Sequence, residues 1–140
     1  MSDILSSSAP LSSDISMILQ LVVLGIILVG FIVVKRRSFR VHGIFMFIAT
    51  LVNTASILVV MIPVALRLVN SSLPNFSFFF RTHVLLGLLI EGVAIYLVAD
   101  WRFQNPGPTC FQRKKWMLTL TIMWIAELLL GMIVYMKLYL

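Results

Sequence analysis

Three polar side chains stand where an apolar helix has no ordinary use for them. They are Glu127 within residues 116–140, Glu91 within residues 82–99 and Asn53 within residues 42–69. A carboxylate at the centre of a bilayer costs about 2.5–3.5 kcal/mol on insertion scales, so such acids face a protein interior and mark proton or ion sites. Glu127 lies eleven residues after Trp116 and ten before Lys137; Glu91 lies ten after Arg81 and nine before Asp100. Asn53 is thirteen residues after Arg40 and fourteen before Arg67. At about 1.5 Å of rise per residue these counts put all three near one depth, the bilayer midplane. Gly25 falls at that depth on the first apolar run, where a small residue lets helices approach.

Two carboxyls facing each other with no Lys or Arg beside them cannot both be ionised in a low dielectric. One is therefore expected to keep a proton and donate it to the other acid or to Asn53. Three readings stand open: a neutral acid pair that orients the bundle, a proton- or cation-binding site, or two acids facing different ways and satisfied locally.

The chain has two histidines, His42 and His83, at opposite ends of their spans, so they are not expected to share one haem. Each would need a second ligand of another type, such as Met. Met132 and Met136 lie one turn apart and are the candidates for a soft ion such as Cu(I), although Met at this spacing is usually packing. No cofactor is expected; haem at a histidine or copper at this Met pair are the alternatives. One cysteine, Cys110, excludes an intrachain disulfide. Ser-His-Asp arrangements, phosphate loops and zinc spacings are absent from the sequence, and no enzymatic activity is expected.

The elements that must position these residues follow from hydropathy. The chain is 61% hydrophobic and 11% charged, with a mean hydropathy of +1.07, too little charge to cover a soluble surface. Four spans are expected over residues 15–34, 42–69, 82–99 and 117–136, after a polar tail over residues 1–14, with Pro63 interrupting the second span. The tail has no basic run before the apolar stretch and is not expected to be a cleaved signal. The expected fold is an all-α integral membrane four-helix bundle, up-down-up-down, over residues 15–140. On the second span His42, Met46, Ala49, Asn53, Ser56 and Val60 share one helical face.

Lys35, Arg36, Arg37 and Arg40 fill one connection, and Arg102, Arg113, Lys114 and Lys115 another, against Arg67, Arg81 and Lys137 opposite. This bias places the basic loops in the cytoplasm and both termini outside a plasma membrane. The net charge of +6 is thus a topology signal and not a nucleic-acid surface. Trp101, Trp116 and Tyr139 are expected at the interfaces. The loop before the third span carries Asn70 and Asn75 in N-x-Ser triplets, acceptors for glycosylation if chance has not placed them, and the aromatic run Phe76, Phe78, Phe79 and Phe80. Pro106-Gly107-Pro108 makes a turn in the other basic loop.

His42-x-x-x-Met46 after a basic run, His83 opening the third span and Arg113-Lys114 before the fourth form a loose pattern. Trp124, Gly131, Tyr135 and Tyr139, at spacings of seven, four and four, complete it. Together, across residues 35–139, they resemble a family of small four-helix membrane proteins catalogued as a domain of unknown function. That family includes a maturation factor for haem-copper cytochrome oxidase in Gram-positive bacteria. The family tends to have a His where this chain has Gln112, and Glu91 and Glu127 are not part of its pattern.

The resemblance implies a membrane accessory or assembly subunit of a respiratory or other metalloenzyme complex. Its partners would be the lipid bilayer and other membrane subunits, in a homo- or hetero-oligomer. The competing readings are a transport-like protein binding a proton or cation at Glu91 and Glu127, and a small transmembrane haem protein using His42 and His83.

Overall fold

The computed structural model describes residues 10–70, 77–103 and 112–140. The helices are α1 (Leu11–Lys35), α2 (Phe39–Ser56), α3 (Ile62–Val69), α4 (Ser77–Phe103) and α5 (Lys114–Tyr139), with a π-helical turn over Ile57–Met61 joining α2 to α3. Four continuous runs, with α2, the π turn and α3 counted as one, are long and apolar enough to cross a membrane. Every span is longer than hydropathy alone marks it: the second gains Phe39, Arg40 and Val41 at its start, and the others continue at both ends, the last two through charged and aromatic residues.

The exposure pattern is the reverse of that of a soluble bundle. Leu21, Val22, Ile32, Leu51, Val59 and Leu85 are exposed, whereas Asp14, His42, Asn53, Glu91 and Glu127 are buried. An apolar exterior around polar tie points suits lipid as the surrounding solvent, and the chain is a multi-pass membrane protein.

A tight turn sets the first hairpin. Arg37 adopts φ 61°, the left-handed conformation that commonly ends a helix. Its N–H donates to the Val34 carbonyl and that of Ser38 to the Val33 carbonyl, which closes the end of α1. The chain reverses within a few residues, so α1 and α2 pack antiparallel. The bundle then closes as a ring of neighbours, α1 on α2, α2 on α4, α4 on α5 and α5 on α1. Its apolar centre is Val23, Ile27, Ala49, Ile90, Trp124 and Leu128.

Pro63 leaves the second span continuous but alters its winding. Proline has no N–H and its ring crowds the carbonyl four residues back, here Val59. The strain is taken up just upstream: Ile62 N–H bonds to the Ile57 carbonyl, five residues back, in a wider turn. Beyond it α3 stands away from the other helices, and none of its residues is buried.

Two expectations change, and others fall on residues that are not described. Residues 11–14 belong to α1 and not to a polar tail: Pro10 precedes the first turn in extended backbone, and Asp14 is fully buried. Gly25 has nothing within 4 Å of where a Cβ would stand, so it faces outward; the close approach of α1 to α2 is at Gly30, against Met46 and His42. Asn75, Cys110, Phe76 and Pro106-Gly107-Pro108 lie outside the described residues, as does most of the Asn70 triplet.

Candidate functional site

Asn53 and Glu91 meet as their helical phases predict. Asn53 Nδ2 donates to Glu91 Oε2 at 2.6 Å, and Gln20 Nε2 donates to Asn53 Oδ1 at 2.8 Å. The Thr54 hydroxyl, 2.8 Å from the Thr50 carbonyl, also reaches Glu91 Oε1. Both oxygens of Glu91 therefore have hydrogen-bond partners, the single Thr54 proton being shared between Thr50 and Glu91, and one chain of hydrogen bonds ties α1, α2 and α4 together. A buried acid so held is satisfied in place.

Glu127 does not join this network. Gly87 of α4 stands opposite it: a Cβ there would lie 2.9 Å from Glu127 Oε1. Glu91 is four residues further along α4, about 6 Å by helical rise, so the two acids sit one turn apart and not at one level. Their partners differ, and among the described residues they do not bond to each other. The expected trio of Asn53, Glu91 and Glu127 divides into a pair and a separate acid. Counting residues to the flanking charges fixes depth only to about a turn, which does not separate the two acids.

The partner of Glu127 is His83, whose Nδ1 lies 2.7 Å from Oε1. That is ion-pair range, but the oxygen lies off the N–H direction, so the contact is electrostatic and not an aligned hydrogen bond. The other oxygen, Oε2, is buried and has no hydrogen-bond partner among the described residues. The sequence placed His83 at the membrane surface because the third span was expected to begin at residue 82. The helix begins at Ser77, which sinks His83 nearly two turns into it. Gly131 makes room for the ring: a Cβ there would approach His83 Cε1 at 3.0 Å.

These residues line a partly open cavity of about 250 Å³ between α1, α3, α4 and α5. Its walls are mainly apolar, with Trp124 and Met61 among them, and its polar groups include Gln20, Asn53, His83 and Glu127. Nearer the terminal end of the bundle, the Tyr135 hydroxyl donates to Asp14, Ser13 meets Tyr139 at 3.1 Å and Ser16 meets Ser56 at 3.4 Å. Sequence reading passed over Asp14, Gln20 and Thr54. Asp14 lay in the presumed tail, and single Gln or Thr residues in apolar runs carry little signal.

A second, smaller cavity of about 80 Å³ lies towards the basic end, with His42, Met46, Glu91 and Trp101 on its walls. His42 is buried and its Nδ1 donates to the Gly30 carbonyl at 2.8 Å, which fixes the ring beside Phe31. His42 and His83 thus face different cavities, with no ligand position shared. Met132 and Met136 are 37% and 48% exposed, on the outer face of α5 and away from either cavity. Among the described residues no group of three or more His, Cys, Asp or Glu side chains converges to hold a metal ion. At the basic end, Arg113 Nε pairs with Asp100 at 3.2 Å and its guanidinium lies over the Tyr96 ring.

Comparison with protein-family models, curated proteins and solved structures finds no match to this chain.

Proposed function

We propose that this chain is a non-enzymatic membrane protein whose working centre is a proton- or cation-binding site at Glu127 and His83. The observation that carries this reading is the contrast between the two buried acids. Glu91 has a hydrogen-bond partner at each oxygen, which suits an acid that fastens helices. Glu127 has an imidazole beside one oxygen and, among the described residues, no hydrogen-bond partner on the other, which suits an acid that exchanges its partner. Glu91, Asn53 and Gln20 then serve as the structural tie beneath the site.

The test is infrared difference spectroscopy of the protein in bilayers, recorded as protons or monovalent cations are supplied. A carboxyl band that responds should vanish in Glu127→Gln and persist in Glu91→Gln. The opposite assignment would transfer the working role to Glu91.

A second reading concerns the setting of this site. His83, Trp124, Gly131, Tyr135 and Tyr139, which carry much of the resemblance to the small four-helix family, all line the larger cavity. That convergence supports a role as an accessory or assembly subunit of a larger membrane complex, respiratory or metalloenzyme in kind. We place both basic loops in the cytoplasm and the chain in the plasma membrane on the charge bias of eight basic residues to three. Native mass spectrometry of the membrane complex would identify co-purifying subunits, or show the chain alone.

A further inference from the structure

The larger cavity has the chemistry of a binding site for an organic molecule, and we propose that it takes a small lipophilic monocation, such as an aryl-substituted ammonium, whose charge sits against Glu127. This rests on the reading of Glu127 and His83 as an ion-binding centre and adds the class of ligand.

Three features define the class. First, the cavity of about 250 Å³ is walled mainly by apolar side chains of α1, α3, α4 and α5. A bare metal ion or a hydrated alkali cation would leave that wall unused, whereas an aromatic or short alkyl group would fill it. The volume lies just below the range of roughly 300–1,000 Å³ usual for drug-sized ligands, which favours a single ring.

Second, the acid it meets is incompletely partnered. Glu127 is 8% exposed and its Oε2 is buried without a hydrogen-bond partner among the described residues. An anion would be repelled, and a neutral hydrocarbon would leave that oxygen as it is. A cation supplies the missing partner in a low-dielectric site, where it counts most. The absence of a converging third His, Cys, Asp or Glu among the described residues argues against a metal at this place. Third, the Trp124 indole forms part of the same wall, a surface that favours cations over its face.

The site also sets a proton balance. The titratable side chains lining the cavity are Glu127, His83, Tyr135 and Tyr139; Tyr135 is engaged with Asp14, and α3 contributes none. A permanent cation that pairs with the Glu127 carboxylate takes the place of any proton the pair holds, on the acid or on His83. Binding of one cation therefore releases up to one proton from this pair, and the ligand competes with protons.

Benzyltrimethylammonium is a suitable probe, because it fits a one-ring cavity and has no proton of its own to lose. Neopentylbenzene replaces its nitrogen by carbon and gives the same shape without charge. Calorimetric titration of the full chain in nanodiscs, repeated in two buffers of different ionisation enthalpy, reads both affinity and protons released. The expected result is saturable binding of the cation with proton release and at least about hundredfold weaker binding of the neutral isostere. Glu127→Gln should lose the cation by a similar factor, with helical content and monodispersity reporting that it still folds, while Glu91→Gln keeps it.

Equal affinity for the cation and its isostere, or binding that survives Glu127→Gln, would overturn the proposal. If the infrared band of Glu127 responds to protons but the ammonium does not bind, this inference fails and the proton-binding reading stands. If neither responds, both fail.

Discussion

The imidazole Nδ1 of His83 lies 2.7 Å from Oε1 of Glu127, across the α4–α5 interface and over Gly87. This contact brings a base and an acid together inside the spans. It is enclosed well enough for charge to matter, with side-chain exposures of 20% and 11%. Removing one partner leaves the other with a buried, uncompensated group, which is more damaging than removing both. His83→Phe is therefore expected to destabilise the bundle by about 3 kcal/mol, and Glu127→Leu combined with His83→Phe by clearly less. Reversible SDS unfolding in bicelles measures the cycle; strictly additive losses would mean that the two side chains do not interact.

The Gln20–Asn53–Glu91 chain predicts a different response. Hydrogen bonds between membrane helices average about 0.6 kcal/mol, but an orphaned buried acceptor costs more. Asn53→Leu removes the bonds at 2.6 and 2.8 Å and is expected to cost about 1–3 kcal/mol in the same unfolding assay. No loss of stability would show that this network does not fasten α1, α2 and α4.

The glycines should separate by position. At Gly43 a Cβ would stand 2.2 Å from the Trp101 ring, a rigid neighbour, so Gly43→Ala is expected to cost about 1–3 kcal/mol. Gly25 and Gly92 face open space, and Ala there should be neutral or stabilising by up to about 1 kcal/mol through helix propensity. The ranking by thermal unfolding in detergent would be reversed if the helices were rotated from the orientation described.

Much of this was legible in the residues and part was not. The four spans follow from hydropathy, and the Asn53 face follows from helical phase, because Ala49 and Ser56 recur with it at helical spacing and are buried beside it. The partner of Glu127 was hidden by a boundary. Hydropathy starts the third span at residue 82, but Phe78, Phe79 and Phe80 extend α4 outward and draw His83 inside. Asp14 was hidden in the same way, since Ser and Asp residues read as a tail until Tyr135 is seen to meet Asp14, and Tyr139 to meet Ser13, from α5. Pro63 signalled an irregular turn, yet only the backbone shows that the turn lies upstream of it and that α3 diverges afterwards.

That divergence gives a further prediction. Pro63→Ala restores an N–H donor and relieves the crowding on Val59, so the π turn should tighten towards α-helix and re-aim α3. Spin labels at the exposed positions Leu66 and Leu129 would report this as a changed interhelical distance by pulsed electron resonance. An unchanged distance would mean that the wide turn does not depend on the proline.

If Glu127 and His83 form one ion-binding unit, each must sense the other, and nitrogen NMR of the histidine side chains in bilayers tests that most directly. With only two histidines in the chain, His42→Gln assigns both sets of imidazole signals. Glu127→Gln should shift the signals of His83 while leaving those of His42, held by the Gly30 carbonyl, in place. His83 signals that are unchanged by Glu127→Gln would contradict the account.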